Sequence, residues 1–125
     1  MHLGLEVLPC QLAVCRLPAE SAIPSWVSGT FTSITRTPEE VSIVCDQQCV
    51  PHDVQASRGW RLLKVSGPIA FETTGVAAAL IQPLADANIS VFLIATYDTD
   101  YLLLQESSFN RALDRLRDAG HSVTF

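Results

Sequence analysis

Residues that could bind small charged groups are concentrated in two short segments in the second half of the chain. Residues 72–76 combine an acid with the expected start of a helix, and residues 96–100 combine two acids with threonines and a tyrosine. The free N–H groups of a helix start attract an anion, and carboxylates attract a cation. A glycine at the helix start lets a ligand approach the backbone closely. The candidate binding residues are Glu72, Thr73, Thr74, Gly75, Val76, Thr96, Tyr97, Asp98 and Asp100.

Several of these residues also have a purely structural interpretation. Gly75 can simply begin a helix, and Asp98 and Asp100 can be turn formers. Thr96 can hydrogen-bond the backbone of the same turn, and Glu72 can be a solvated loop charge. The residue types alone leave both interpretations open.

Catalytic and metal sites are weakly supported. Glu72, Asp98 and Asp100 could offer oxygen ligands to Mg²⁺ or Ca²⁺, but their spacing matches no EF-hand loop. A hydrolase needs a nucleophile, a base and an orienting group within reach of one another. Cys49 with His52 is the only near pair, and it has no obvious third member. We therefore expect no catalytic residue, no metal and no cofactor.

The four cysteines allow more than one interpretation. They could form a zinc site or two disulfides, but the spacings of four and three intervening residues match no common zinc motif. The pattern favours small buried thiols in a cytosolic protein, so a cytoplasmic location is expected. The cysteines are Cys10, Cys15, Cys45 and Cys49.

Composition narrows the class of protein and of partner. The 125 residues are 48% hydrophobic and 17% charged, with a mean hydropathy of +0.26, which excludes disorder and a coiled coil. The net charge is −5 and no basic run occurs, so neither nucleic acid nor an anionic membrane is an expected partner. No apolar stretch reaches the roughly 18 residues of a membrane span, and the start of the chain does not resemble a secretory signal.

The elements that would position the candidate residues come from an imperfect internal repeat. Residues 33–46 resemble residues 93–106 at a shift of sixty, and residues 12–18 resemble residues 62–68 at a shift of fifty. Each copy has the order β-α-β-β-α-β, the ferredoxin-like plan. The predicted domains are an abbreviated N-terminal unit, 1–58, and a C-terminal unit, 59–125.

The C-terminal copy is the more complete one. Thr73 or Thr74 is predicted to cap its first helix, and Asn88 suits the left-handed residue that ends it. Pro83 should loosen that helix, because proline removes a hydrogen bond. The predicted elements are a strand at 62–66, a helix from about residue 75, a hairpin of 90–95 and 101–105, a helix beginning at Ser107 or Ser108 and ending at Gly120, and a strand at 121–125.

The N-terminal copy has the same order with less helix. We expect a short helix at 23–27, a hairpin of 31–37 and 41–46, and a loop or a short turn at 47–59. The hairpin strands of the C-terminal copy are apolar on both faces, so both faces of the sheet must be covered.

Together these features resemble one family, the tandem ACT-domain proteins, which include small paired-ACT proteins and animal cytosolic arginine sensors. The resemblance spans nearly the whole chain and lies most clearly in residues 73–76, 83–92 and 96–104. It implies an α+β fold of two ferredoxin-like ACT units packed as a pair, the first with a shortened helix. It also implies a regulatory, non-catalytic module that senses a free amino acid at an ACT–ACT interface.

The resemblance also implies which residues hold the ligand. It supports Gly75, Val76, Thr96, Tyr97 and Asp100, and it points to a strand edge of the other copy. The amino acid's carboxylate would meet the helix start, and its ammonium would meet the acids. That strand edge comprises Val44 and Cys45.

One departure from the family pattern bears on the ligand, and one alternative function fits the same features. The family's arginine sensors carry an acid near the position of Thr73, so a cationic ligand would meet less counter-charge here. The alternative function is a ligand-free dimerisation or protein-interaction module with a degenerate ACT pocket. The expected ligand of the sensor is a small amino acid or a related metabolite. A homodimer and a protein effector are expected partners under either interpretation.

Overall fold

The computed structural model describes residues 1–125, which form two compact units. The larger unit comprises Met1–Pro9 and Arg61–Phe125, and the smaller unit comprises Cys10–Trp60. The division into domains at residues 58 and 59 stays a prediction, but the first nine residues pack with the larger unit. The elements are strands β1 (Gly4–Leu17), β2 (Ser33–Arg36), β3 (Val41–Asp46), β4 (Gln55–Val65), β5 (Phe92–Ala95), β6 (Asp100–Gln105) and β7 (Ser122–Thr124), helices α1 (Val76–Asp86) and α2 (Phe109–Asp118), and 3₁₀ turns at Gln47–Cys49 and Glu106–Ser108.

The larger unit has the ferredoxin-like element order. After the end of β4 come α1, the β5–β6 hairpin, α2 and β7. The strand order is β7-β1-β4-β6-β5, so the start of β1 lies between β7 and β4. Strand β7 runs parallel to β1, with Ser122 opposite Gly4, and β5 runs antiparallel to β6. The predicted β-α-β-β-α-β order is confirmed, with one further strand inserted from the start of the chain.

Both helices of this unit pack an apolar face onto its core. Helix α2 buries Phe109, Ala112, Leu113 and Leu116, as its helical spacing indicates. The predicted left-handed ends are also present, with φ of +60° at Asn88 and +99° at Gly120. Neither helix is long and apolar enough to cross a membrane.

The start of α1 differs from the prediction. Neither Thr73 nor Thr74 caps the helix. The N-cap is Gly75, with φ +82°, and no side chain hydrogen-bonds the first turn. A left-handed cap suits glycine because it carries no Cβ, and it places both threonines outside the helix.

The smaller unit has the strand order β2-β3-β1-β4. The predicted helix at 23–27 is only a turn, in which the Val27 N–H donates to the Pro24 carbonyl at 3.4 Å. So short a segment gains about one helical hydrogen bond for the backbone that it must order, which disfavours a helix here. Residues 55–59 were expected to form a loop but belong to β4.

In each unit, one central strand has buried residues on both faces. In the larger unit, Leu63 belongs to the helix-covered core, whereas Leu62 points to the opposite face and is also fully buried. In the smaller unit, Ala13 and Leu12 show the same alternation. Among the hairpin strands, coverage on both faces holds for β6, where Leu102, Leu103 and Leu104 are all fully buried, but not for β5, where no residue is buried.

Candidate functional site

A small cleft lies in the larger unit between the start of α1 and the β5–β6 turn. Its volume is about 190 Å³. Drug-sized ligands occupy roughly 300–1,000 Å³, so this cleft suits a smaller molecule. Its lining residues come from the loop after β4, from α1 and from the turn: Ile69, Ala70, Phe71, Thr73, Val76, Ala95, Thr96, Tyr97, Thr99 and Asp100.

Hydrogen bonds fix the turn that forms one wall. The Thr96 hydroxyl donates to the Thr99 carbonyl at 2.8 Å, which closes the turn on itself. The Thr99 hydroxyl, which is buried, donates to the Val65 carbonyl of β4 at 2.7 Å. The Ile69 N–H donates to the Asp98 carbonyl at 2.7 Å. The turn is therefore anchored both to the sheet and to the loop that forms the opposite wall.

A close backbone approach at Gly67 makes this anchoring possible. A Cβ at Gly67 would lie 3.0 Å from Thr99 Cβ and 3.3 Å from the Asp98 carbonyl oxygen. Such distances are shorter than normal carbon contacts, so a side chain here would push the turn away from the loop.

The other wall ends at the N-terminus of α1. The first backbone bond of the helix runs from the Ala79 N–H to the Gly75 carbonyl. The N–H groups before it have no partner within the helix, and no side chain caps them. No other part of the protein lies within 4 Å of a Cβ built on Gly75. The start of α1, where Val76 lines the cleft, therefore has free N–H donors with open space beside the adjacent Gly75, and such a helix start suits an anionic group.

Asp100 supplies negative charge inside the cleft. It lines the cavity and is half-buried, whereas Glu72 and Asp98 are exposed and do not line it. None of the three carboxylates forms an ion pair within the protein. Of the three acids, Asp100 is therefore the one that belongs to the lining of the cleft.

Two aromatic side chains stand at the opening of the cleft. Phe71 and Tyr97 meet edge to face, with ring centroids 4.7 Å apart and an interplanar angle of 81°. They are 69% and 79% exposed. Their rings therefore present apolar surface that a ligand or a partner could contact.

The structure brings five predicted residues together in the cleft: Thr73, Val76, Thr96, Tyr97 and Asp100. Glu72, Thr74, Gly75 and Asp98 are their chain neighbours but do not line it. Val44 and Cys45 are buried on β3 of the smaller unit. Sequence reasoning missed Ile69, Ala70, Phe71, Ala95 and Thr99. The sequence signal that could have indicated the first three is the apolar run at residues 68–71, which is unusual for a loop.

The equivalent turn of the smaller unit is arranged differently. The Thr37 N–H donates to the Glu40 carbonyl, as Thr96 does to Thr99, so the turns correspond at a shift of 59 instead of sixty. Arg36 then occupies the position of Ala95. Its guanidinium donates to the carbonyls of Ala19 at 2.5 Å and Ser21 at 2.7 Å. In the smaller unit, Arg36 therefore links its turn to the loop that contains Ala19 and Ser21. At the corresponding position, the larger unit has Ala95, a small residue that lines the cleft.

Comparison with known proteins agrees with this architecture. The human protein named putative protein CASTOR3P is 38% identical to this chain, and the alignment covers 72% of this chain and 72% of that protein. The human cytosolic arginine sensor for mTORC1 subunit 1 is 32% identical over 79% of this chain but only 32% of its own. The chain therefore spans about a third of that sensor's length. Among solved structures, an Agobacterium tumefaciens protein has a TM-score of 0.94 at 39% identity, covering 99% of this chain and 93% of that one.

More distant structures share the fold. The regulatory subunit of aspartate kinase from Thermus thermophilus has a TM-score of 0.60 at 12% identity, over 87% of this chain and 91% of that one. At this identity the likeness concerns the fold alone. The name of the curated relative, an arginine sensor, agrees with the prediction of a non-catalytic module. A model described as an N-terminal domain matches residues 11–53, and the model of the ACT domain matches residues 55–118. The chain belongs to the ACT domain family.

Proposed function

We propose that the chain is a regulatory module that binds a free amino acid in the cleft between α1 and the β5–β6 turn. The carrying observation is the pairing of an uncapped helix start with the half-buried carboxylate of Asp100 across a cavity of about 190 Å³. The residues on which the proposal rests all belong to the larger unit. An ACT–ACT interface as the ligand's location remains a prediction from the resemblance.

The two walls match the two charged groups that every α-amino acid carries. The ligand's carboxylate would accept hydrogen bonds from N–H groups at the start of α1, where the helix dipole also favours it. Its ammonium would donate to Asp100 in a charge-assisted bond. The side chain would then lie toward Phe71 and Tyr97.

Regulation would follow from a shift in populations. A ligand stabilises whichever arrangement of the α1 start and the turn it binds more tightly. A protein effector, or a second copy of the chain, that recognises that arrangement would then bind in proportion to ligand occupancy. The named relatives support a sensor of this kind in the cytoplasm.

The direct test is thermal unfolding of the chain against each of the twenty amino acids at millimolar concentration. A ligand at about 100 times its dissociation constant adds about 2.7 kcal/mol to the free energy of unfolding, which raises Tm by several degrees. The Asp100→Asn variant should lose most of this shift. The Asp53→Asn variant, changed in an exposed loop of the smaller unit, should retain it.

The exposed Phe71–Tyr97 pair favours one second candidate, an interaction module without a ligand. In that case no amino acid would raise Tm. Replacing both aromatic residues by serine would instead weaken self-association in sedimentation velocity. A Tm shift that depends on Asp100 contradicts this alternative.

A further inference from the structure

Three of the four cysteines cluster in the core of the smaller unit. Cys15 lies on β1, Cys45 is the second-to-last residue of β3, and Cys49 lies in the 3₁₀ turn that follows. The sulfur atoms of Cys45 and Cys49 are 3.9 Å apart, and all cysteines are free thiols. A disulfide bond measures about 2.05 Å, so a movement of about 2 Å would join this pair. Cys10 lies apart, beside the hydroxyl of Thr30.

The members of the cluster differ in access to solvent. Cys15 and Cys45 are 1% and 0% exposed, whereas Cys49 is only half-buried. Burial, followed by the effect of Cys49, raises the pKa of the Cys45 thiol to about 12. An oxidant that arrives from solvent therefore meets Cys49 first, with the protonated Cys45 thiol behind it.

The turn holds the two sulfurs close together. The Gln48 N–H donates to the Asp46 carboxylate at 3.0 Å, and the Cys49 thiol donates to the Asp46 carbonyl at 2.8 Å. Arg58 donates to the carbonyl of Gln47 at 3.2 Å from β4. Reacting groups held in such proximity react faster than free ones.

We propose that Cys45 and Cys49 are a peroxide-oxidised pair, with Cys49 as the attacking thiol and Cys45 as the resolving one. The Cys49 sulfur attacks a hydroperoxide, whose O–O bond breaks, to give a sulfenic acid and an alcohol, or water from hydrogen peroxide itself. The Cys45 sulfur then attacks the Cys49 sulfur. The S–O bond breaks, and the hydroxyl leaves with the Cys45 proton as water. Two thiols are oxidised by two electrons, and one peroxide is reduced.

Cys15 is the competing partner for Cys45, because the two buried thiols lie close enough for each to affect the pKa of the other. Since both are buried, neither is reachable by an oxidant before Cys49. The pair expected to close is therefore 45–49 and not 15–45.

The test is oxidation of the full reduced chain with hydrogen peroxide, followed by blocking of free thiols with N-ethylmaleimide, trypsin digestion and mass spectrometry. Cleavage after arginine places Cys10 and Cys15 in peptide 1–16, and Cys45 and Cys49 in peptide 37–58. After oxidation, we expect peptide 37–58 to carry no maleimide label and to be two hydrogens lighter than the unlabelled reduced peptide. After reduction with dithiothreitol and a second treatment with N-ethylmaleimide, it should carry both labels. Peptide 1–16 should remain doubly labelled.

Two variants sharpen this test. Cys49→Ser, at the half-buried position, should abolish the two-hydrogen loss completely while the circular dichroism spectrum stays native. Cys10→Ser is the matched control and should leave the loss unchanged. The proposal would be overturned by a cross-link between the two peptides, by Cys49 sulfinic acid without disulfide, or by oxidation of Cys10 ahead of Cys49.

Discussion

Pro83 deprives α1 of one hydrogen bond, and His121 replaces it. Proline has no N–H to donate to the carbonyl four residues earlier, that of Ala79. The Nε2 atom of the buried His121 lies 3.0 Å from this carbonyl, and its Nδ1 accepts the Leu3 N–H at 3.1 Å. With Nδ1 as acceptor and Nε2 as donor, both ring nitrogens are satisfied.

This arrangement predicts coupling between the two residues. His121→Ala should lower the free energy of unfolding by about 1–3 kcal/mol, since it leaves buried polar groups unpaired. In a Pro83→Ala background the loss should be smaller by about 1 kcal/mol, because the alanine N–H can bond the Ala79 carbonyl. Urea unfolding of the four chains measures the coupling. His52→Ala, in an exposed loop, is the control, and equal losses in both backgrounds would refute the coupling.

The thiol of Cys45 predicts a loss of stability at alkaline pH. Its pKa is raised from 9.0 to about 12 in the folded chain, first by burial. Between these values the unfolded chain has lost the proton while the folded chain retains it, so the free energy of unfolding falls as pH rises. Below pH 9 this contribution is fully present. Urea unfolding at about pH 8 and about pH 10.5 should show a smaller fall for Cys45→Ala than for Cys10→Ala, and identical falls would contradict the assignment.

The β5–β6 turn depends on one buried hydroxyl for its position beside α1. Thr99→Val removes the bond to the Val65 carbonyl with little change in shape, and should cost about 1–3 kcal/mol. Because Asp100 directly follows Thr99, the loosened turn should also hold Asp100 less firmly and so weaken binding of the amino acid. Thr124→Val is the control, because its hydroxyl makes a longer bond at the exposed end of β7. Unchanged stability and ligand affinity in Thr99→Val would show that other bonds hold the turn.

Strong local patterns made most elements of the larger unit predictable. The apolar positions of α2 recur at helical spacing, and Gly120 and Asn88 end the two helices as residues that tolerate a positive φ. The cap at Gly75 was missed because a threonine is the commoner N-cap. Its left-handed backbone depends on the loop before it, which the local sequence does not specify.

Non-local pairing explains the remaining errors. Residues 55–59 include Ser57 and Gly59, which are small, and Arg58, which is charged, so the segment lacks the apolar alternation of a strand. It nevertheless pairs as part of β4. In the cleft, the acids and threonines were predictable from their chemistry. Ile69 and Phe71 line it because the loop is pinned by a bond to Asp98, a contact 29 residues away that spacing could not indicate.

The chain passes from one unit to the other along β1 and again along β4. Strand β7 therefore pairs with the start of β1, and residues 1–9 complete a unit whose other elements begin at Arg61. Leu5 is 1% exposed and Val7 is 8% exposed within the core of that unit. Burial of each such side chain is worth about 1.5–3 kcal/mol, a large part of the roughly 5–15 kcal/mol that stabilises a domain.

A fragment of residues 59–125 alone should consequently fail to fold cooperatively, although it contains the whole β-α-β-β-α-β order. Because Ser66 at the end of β4 donates to Gly4 at the start of β1, the two strands run in opposite directions, which places Pro9 near Arg61. Joining residues 1–9 to residues 61–125 through a short Asn-Gly turn should restore a cooperative urea transition. The same chain with Leu5 and Val7 replaced by serine should lose it again. A cooperative transition in fragment 59–125 itself would mean that the unit folds without the first strand and that residues 1–9 are dispensable.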